Sequence, residues 1–363
     1  MGIHTSVDPE TDTIRFLSPD GALCRPMPSS VSDELLLSLY RAMTRARIFD
    51  GKAIALQRTG QLGTFASALG QEAVGVGAAA AMAARDVLAP SYRDHAAQFM
   101  RGMTMAECLL YWGGDERGSD FARSRLDFPN CVPVATQVAH AVGAAHAFKL
   151  RREDRAVVTF VGDGGTANGG FYEALNMAGV WKSPVVIVIN NNGWAISTPR
   201  ALESAAATLA QKGVAVGVEG RQVDGNDVAA VYDTVRQAID KARAGQGPTL
   251  IEALTYRLGD HTTADDATRY RDADLVRREW AREPIARLRA YLIREGAWNE
   301  DKEAALQQQS LEEVGQAVSA YLATQPAGSD AMFDHLYATL PPAYDSQRET
   351  ARRFAPGGGG GHG

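Results

Sequence analysis

Residues 156–194 read AVVTFVGDGGTANGGFYEALNMAGVWKSPVVIVINNNGW, and this stretch decides the fold. Residues 156–161 are an unbroken apolar run that stops at Gly162, the pattern of a strand buried on both faces. Residues 171–181 have helical spacing, and residues 184–189 (PVVIVI) repeat the buried-strand pattern. Strand, helix and strand in that order predict parallel neighbours joined by a crossover. In such sheets ligands bind beyond the carboxyl ends of the strands. Chemistry is therefore expected in the polar segments that follow the runs, at 162–169 and 190–194.

The same pattern extends in both directions. Residues 87–90 and 132–134 are short apolar runs between turn signals and are expected as strands. Residues 222–225 are expected to hold another, and residues 249–257 (TLIEALTYR) a further one. Residues 32–57, 70–84, 136–150 and 228–244 read as helices, with alanine and glycine dense at 70–84 and 136–150. Together they predict an α/β fold: a doubly wound, mostly parallel sheet with helices on both faces. Residues 1–30 are polar and proline-dotted and read as an N-terminal arm. Residues 31–270 form the expected α/β domain, and 271–345 a helical C-terminal extension that includes an amphipathic segment at 331–340. Residues 346–363 read as a flexible tail that ends in glycines.

Composition excludes several classes. A net charge of −6 gives no electrostatic footprint for nucleic acid or an anionic membrane surface. No long uncharged apolar stretch predicts a membrane span. The acidic start, with Asp8, Glu10 and Asp12, is unlike a secretory signal. Cys24, Cys108 and Cys131 suit neither a disulfide framework nor a zinc site. A reducing cytoplasm is the expected location.

Gly162-Asp163-Gly164-Gly165-Thr166-Ala167-Asn168-Gly169 joins strand to helix. Bare N–H groups and a helix N-terminus at such a turn attract phosphate, although an ordinary structural turn uses the same glycines. The dinucleotide fingerprint Gly-x-Gly-x-x-Gly fails, because the third glycine falls at 165 or 169. That argues against a nicotinamide dehydrogenase. Asp163 argues for something else: a carboxylate in a diphosphate site repels its ligand unless a divalent cation lies between them. Magnesium takes oxygen ligands, commonly one or two carboxylates plus phosphate oxygens. A second oxygen donor is then needed from the neighbouring strand end. Asn191-Asn192 stands there, with 26 residues between Gly164 and Asn191.

Gly162-Asp163-Gly164 through Asn191-Asn192 matches the thiamine-diphosphate motif. The wider stretch 162–198 resembles the alpha subunit of the decarboxylating component of 2-oxo acid dehydrogenase complexes, and similarity extends over residues 35–348. The resemblance implies the thiamine-diphosphate-binding fold, with magnesium held by Asp163, Asn192 and the main-chain carbonyl of Trp194. It places Gly164 and Gly165 against the diphosphate, together with Tyr92 and Arg93; the planar fork of arginine suits phosphate oxygens. Val134 resembles the apolar support of the bent cofactor, and Val132 lies beside it. Thr136 and Gln137, in CVPVATQ (131–137), resemble a potassium loop found in branched-chain members. In TYRLGDHTTADD (255–266), His261 matches a histidine near the cofactor's reactive carbon and is the expected catalytic residue, positioning intermediates and assisting acyl transfer. Asp260 precedes it where relatives often carry histidine or glycine. Thr262 follows it where some mitochondrial relatives carry a phosphorylatable serine. His4, His140, His146 and His362 attract no role.

The implied activity is oxidative decarboxylation of a 2-oxo acid with reductive acyl transfer to lipoyl, the cofactor supplying the electron sink. Only the diphosphate half of such a site is recognisable. The resemblance therefore implies a beta subunit carrying the pyrimidine half, an α2β2 assembly, and docking on a lipoyl acyltransferase core. The small-residue helices at 70–84 and 136–149 are candidate close interfaces. Residues 57–72 and 111–117 look most like bacterial pyruvate dehydrogenase alpha subunits, whereas VDGND (223–227) and residues 332–341 resemble branched-chain members too. Pyruvate is the favoured substrate and 3-methyl-2-oxobutanoate the alternative. One methylene in an apolar pocket is worth only ~1–3 kcal/mol, so a few side chains such as Thr64 decide between them. A non-catalytic scaffold subunit would be expected to have lost Asp163, Asn192 or His261, and all three are present.

Overall fold

Five parallel strands organise the computed structural model, which describes residues 13–355. In chain order the first elements are α1 (Asp33–Arg58), α2 (Glu72–Ala80), β1 (Val87–Ala89), α3 (His95–Arg101), α4 (Met105–Trp112) and α5 (Thr136–Leu150). There follow β2 (Val157–Gly162), α6 (Gly169–Trp181), β3 (Val185–Asn191), and the short hairpin β4 (Trp194–Ala195) and β5 (Thr198–Pro199). β6 (Glu219–Asp224), α7 (Val228–Arg243), β7 (Thr249–Leu254), α8 (Ala273–Trp280), α9 (Pro284–Arg294) and α10 (Glu300–Ala323) complete this part.

The large sheet has the order β1-β2-β3-β7-β6, with every pair parallel. The chain leaves β3, skips one position to β6, and returns to β7 between them. Gly162 stands opposite Asn190 and Asn191 opposite Leu254, so the segments after β2, β3 and β7 leave one edge together. Val157, Val161 and Ile187 pack with α5 and α6 on one face. Val158, Phe160, Val186 and Val188 pack with α2 and α7 on the other. A strand covered on both faces has no solvated side, which explains the unbroken apolar runs.

Three sequence readings change. Residues 132–134 form no strand: Pro133 offers no N–H to a ladder, and Ala135 takes φ 66° to turn the chain into α5. Only Cys131 bridges to Ser91. Residues 70–84 contain a shorter helix, α2, whose residues 72–79 are all buried, so it serves the core of this chain rather than a subunit contact. A Cβ at Gly77 would stand 3.0 Å from the Val228 carbonyl oxygen, which is why small residues are needed there. By contrast, α5 leaves Thr136, Ala139, His140 and Gly143 exposed. Of the expected arm, Ile14 pairs in parallel with Val223 at the β6 edge, and Leu17 is buried. Asp227 fixes it by accepting the N–H groups of Phe16 and Leu17, each at 2.7 Å. The segment 260–272 is mostly loop, and helix resumes at α8.

The chain divides into one unit ending at Val318 and another beginning at Ser319. In the first, α9 and Trp298 pack on Leu36, Leu39, Tyr40 and Met43 of α1. In the second, the expected helix at 331–340 is only one turn, α11 (Ala331–Asp334), and is followed by α12 (Asp345–Arg353). There Arg352 pairs with Asp330 at 2.7 Å, and the rings of Tyr337 and Tyr344 lie 5.5 Å apart. His4, His362 and the end of the expected tail lie outside the described residues. Among those described, no helix is long and apolar enough to cross a membrane.

Candidate active site

The segments leaving β1, β2, β3 and β7 line a cavity of about 580 Å³. Tyr92, Arg93, Val132, Val134, Asp163, Gly164, Gly165, Asn192, Trp194 and His261 all border it, so every expected cofactor residue comes to one place. They are gathered by the parallel topology, which turns four separate strand ends toward the same edge.

Asp163 follows β2 directly and is 2% exposed. Its Oδ1 accepts the Gly164 N–H at 3.0 Å, while Oδ2 has no hydrogen-bond partner. Burial pushes this carboxyl above the usual range, opposed by N–H groups of Gly164, Gly193 and Trp194 and by the Arg257 charge. A buried carboxylate oxygen without a partner is costly, and a cation beside it would offset that cost. Asn192 Oδ1 accepts the Trp194 N–H at 3.1 Å, and its Nδ2 donates to Gln71 Oε1 at 3.3 Å. Gly193 between them takes φ 85°, a conformation that suits glycine. Among the described residues no three His, Cys, Asp or Glu side chains converge as an all-protein metal cage. An ion here would draw on one carboxylate, an amide oxygen, a carbonyl and phosphate oxygens, the donor set that suits magnesium. These residues fit the magnesium–diphosphate group.

The backbone approaches closely at the two glycines. A Cβ on Gly164 would stand 2.4 Å from Ala195 Cβ, and one on Gly165 would stand 2.6 Å from Val161 Cγ2. After them Asn168 caps α6, its side chain accepting the Gly170 N–H at 2.8 Å. Val132 and Val134 are more than half exposed at the cavity border.

Arg93 is buried and locked from both sides. Its guanidinium donates to the Ser67 carbonyl and, at 2.8 Å, to the His261 carbonyl. Ser67 Oγ donates in turn to Asp50, whose other oxygen lies 2.9 Å from His95 Nε2. Asp50, His95 and Ser67 are all buried. Asp50→Ala should therefore cost about 1–3 kcal/mol, the penalty for leaving the buried Ser67 hydroxyl without its acceptor. Urea unfolding measures it, and a loss below about 1 kcal/mol would contradict this account.

His261 sits between two guanidinium groups. Arg93 Nη2 lies 3.2 Å and Arg257 Nη1 3.4 Å from its Nδ1. Neither guanidinium can accept, so Nδ1 is the acceptor and the ring proton belongs on Nε2. Burial, then the charges of Arg93 and Arg257, lower its pKa to about 4, against the opposing pull of Asp265. The ring is neutral at physiological pH. Asp265 accepts the His261 N–H at 2.8 Å and also the Tyr270 hydroxyl. Asp260 turns away to accept the Ala267 N–H at 3.0 Å.

Three participants escaped the sequence reading. Arg257, 1% exposed, donates to the Ile196 carbonyl at 2.7 Å and to the Tyr270 hydroxyl at 2.8 Å. Its position four residues before His261 was the available signal. Gln71 supports Asn192, and nothing in the sequence announced it. Glu203 accepts the Ala195 N–H at 2.8 Å, and partial burial with the nearby Asp163 carboxylate pushes its pKa to about 7. Of the expected potassium loop, Thr136 is exposed on the first turn of α5. Gln137 is buried, donates to the Phe160 carbonyl at 2.6 Å, and leaves Oε1 without a hydrogen-bond partner.

Comparison with known proteins identifies the family. A family model described as the dehydrogenase E1 component matches residues 40–326, and the chain belongs to that family. It is a 2-oxo acid dehydrogenase subunit of the alpha type. It is 40% identical to a pyruvate dehydrogenase E1 component subunit alpha of Acholeplasma laidlawii, covering 91% of this chain and 96% of that protein. It is 39% identical to a 3-methyl-2-oxobutanoate dehydrogenase subunit alpha of Mycobacterium tuberculosis, over 97% of this chain and 96% of the relative. A Staphylococcus aureus pyruvate dehydrogenase E1 component subunit alpha is also 39% identical, over 88% and 86% respectively.

Proposed function

We propose that this chain binds the magnesium–diphosphate half of thiamine diphosphate and serves oxidative decarboxylation of a 2-oxo acid, pyruvate in first place. Asp163, Asn192 and the Trp194 carbonyl hold magnesium. Tyr92, Arg93, Gly164 and Gly165 would hold the diphosphate, and Val132 and Val134 would support the cofactor. The observation that carries this reading is Asp163 Oδ2, a buried carboxylate oxygen with no hydrogen-bond partner in a cavity it shares with Asn192 and Trp194.

When bound, thiamine diphosphate supplies the nucleophilic carbon and the electron sink. The chain's own residues orient the reaction and handle protons. Arg93 and Arg257 engage His261 Nδ1 and so fix the tautomer with Nε2–H, which lets the ring donate to an oxygen of the acyl group during transfer to lipoyl. Gly164 and Gly165 let the backbone approach the phosphates, where helix α6 begins.

The other half of the site belongs to a beta subunit in an α2β2 assembly that docks on a lipoyl acyltransferase core. Val132, Val134 and Ile196 support this, since each is more than half exposed at the cavity border. Exposed apolar side chains beside a site mark a covered surface. The name of the Mycobacterium tuberculosis relative favours a second reading, branched-chain 2-oxo acids, with similarity across 97% of this chain. Steady-state decarboxylation by the co-expressed alpha–beta pair separates the two. A higher kcat/KM for pyruvate than for 3-methyl-2-oxobutanoate is expected, by tenfold or more at ~1.4 kcal/mol per decade. The reverse order would assign the branched-chain substrate.

A further inference from the structure

The peptide joining Trp194 to Ala195 carries the proposed carbonyl ligand at one end and an N–H group at the other. Glu203 Oε1 accepts that N–H at 2.8 Å. On the carbonyl side, Arg257 Nη1 reaches the Trp194 oxygen at 3.4 Å and Nη2 holds the Ile196 oxygen at 2.7 Å. The segment is one that needs holding: Gly193 takes φ 85°, and Ile196, β-branched, takes φ 54°. Glu203 is itself tied to it, because the Arg200 N–H donates to the Gly193 carbonyl at 3.0 Å and the Glu203 N–H to the Arg200 carbonyl at 3.1 Å.

The second oxygen, Glu203 Oε2, is buried and makes no hydrogen bond. It lies 3.6 Å from where a Cβ of Gly164 would stand, so Gly164 is the spacer between this carboxylate and Asp163. Two carboxylates this close repel, and a divalent cation at Asp163 would relieve them both. An anionic acceptor on a peptide N–H also shifts electron density toward the carbonyl oxygen of the same peptide, making it a better metal ligand.

We propose that Glu203 is the positioning residue of the metal pole. It fixes the Trp194–Ala195 peptide with its carbonyl available to the cation, and its charge strengthens that ligand. The inference rests on the magnesium–diphosphate reading above. It is tested on the co-expressed alpha–beta pair with thiamine diphosphate, using Mn²⁺ as the probe and paramagnetic resonance of free Mn²⁺ as the readout. Glu203→Ala removes acceptor and charge and should weaken Mn²⁺ binding about 10- to 100-fold. Glu203→Gln keeps an acceptor of the same shape and should recover part of that loss. Because Gln keeps the acceptor and changes only an unpartnered oxygen, the metal-free melting temperature of the Gln variant should stay at the wild-type value while its Mn²⁺ affinity falls, whereas a merely structural role would leave both unchanged. Wild-type affinity in the Ala variant would overturn the proposal, as would equal losses in both variants. Should the Ala variant fail to fold, wild-type affinity in the Gln variant overturns the charge contribution. No Mn²⁺ binding by the wild-type pair would instead sink the underlying metal reading.

Discussion

Asp163→Ala is expected to abolish metal-dependent binding of thiamine diphosphate, weakening it at least about 100-fold, or ~2.7 kcal/mol. Asp163 is the one carboxylate in the proposed donor set, and Oδ2 is its unengaged oxygen. Removing it leaves a magnesium–diphosphate group with amide and carbonyl donors alone, which suit a hard dication poorly. Asp163→Asn gives a signature that separates this role from a folding role. Because burial raises the folded-state pKa of Asp163, the stability linked to its proton is fully present below the unfolded carboxylate value and is lost as pH rises through the folded value. The metal-free wild type should therefore lose stability relative to Asp163→Asn across that interval, and the difference should vanish at lower pH. Thermal unfolding of metal-free pairs across pH checks the sign. A wild type that gains stability relative to the variant over the same rise would refute an uncompensated carboxylate at this position.

His261→Ala is expected to do the opposite: spare cofactor binding and cut acyl transfer. The His261 ring touches Arg93 and Tyr92 but not Asp163, Asn192 or the two glycines, and Arg93 keeps its bonds to the Ser67 carbonyl and to the backbone carbonyl of residue 261 in the alanine variant. Affinity for thiamine diphosphate with magnesium should stay within about threefold, whereas lipoyl acylation should fall ~10²-fold or more, the usual range for a lost proton-handling side chain. Unchanged flux through the assembled complex would refute the role. The pH profile adds a check. With its pKa lowered to about 4, His261 stays neutral from mildly acidic to alkaline pH. A limb near the ordinary histidine value that disappeared in the variant would contradict this electrostatic account.

Much of this was legible in the sequence, for identifiable reasons. Strands buried on both faces leave unbroken apolar runs, so β2 and β3 declared themselves, and parallel topology located the chemistry at their ends. A carboxylate among phosphate-binding glycines is unusual enough to imply a cation from one residue. Residues 132–134 misled because an apolar triplet looks like a strand until the proline within it and the left-handed Ala135 after it are weighed. The small residues of α2 suggested an intermolecular surface, whereas they answer to the Val228 carbonyl inside the same chain. Glu203 was invisible for a different reason. Its partner, the Ala195 N–H, is backbone, and the contact arises only because residues 200–202, which follow the hairpin, turn back toward Gly193. Arg257 acts on carbonyls of Trp194 and Ile196, partners that leave no side-chain pattern to read.

Calorimetry tests whether magnesium on Asp163 and Asn192 holds the diphosphate pole of a shared site. The co-expressed alpha–beta pair is titrated with thiamine diphosphate, once with magnesium and once with a chelator. Saturable binding at one site per alpha chain is expected with magnesium, and none without it. Binding of equal strength in both titrations, or no binding in either, would contradict it.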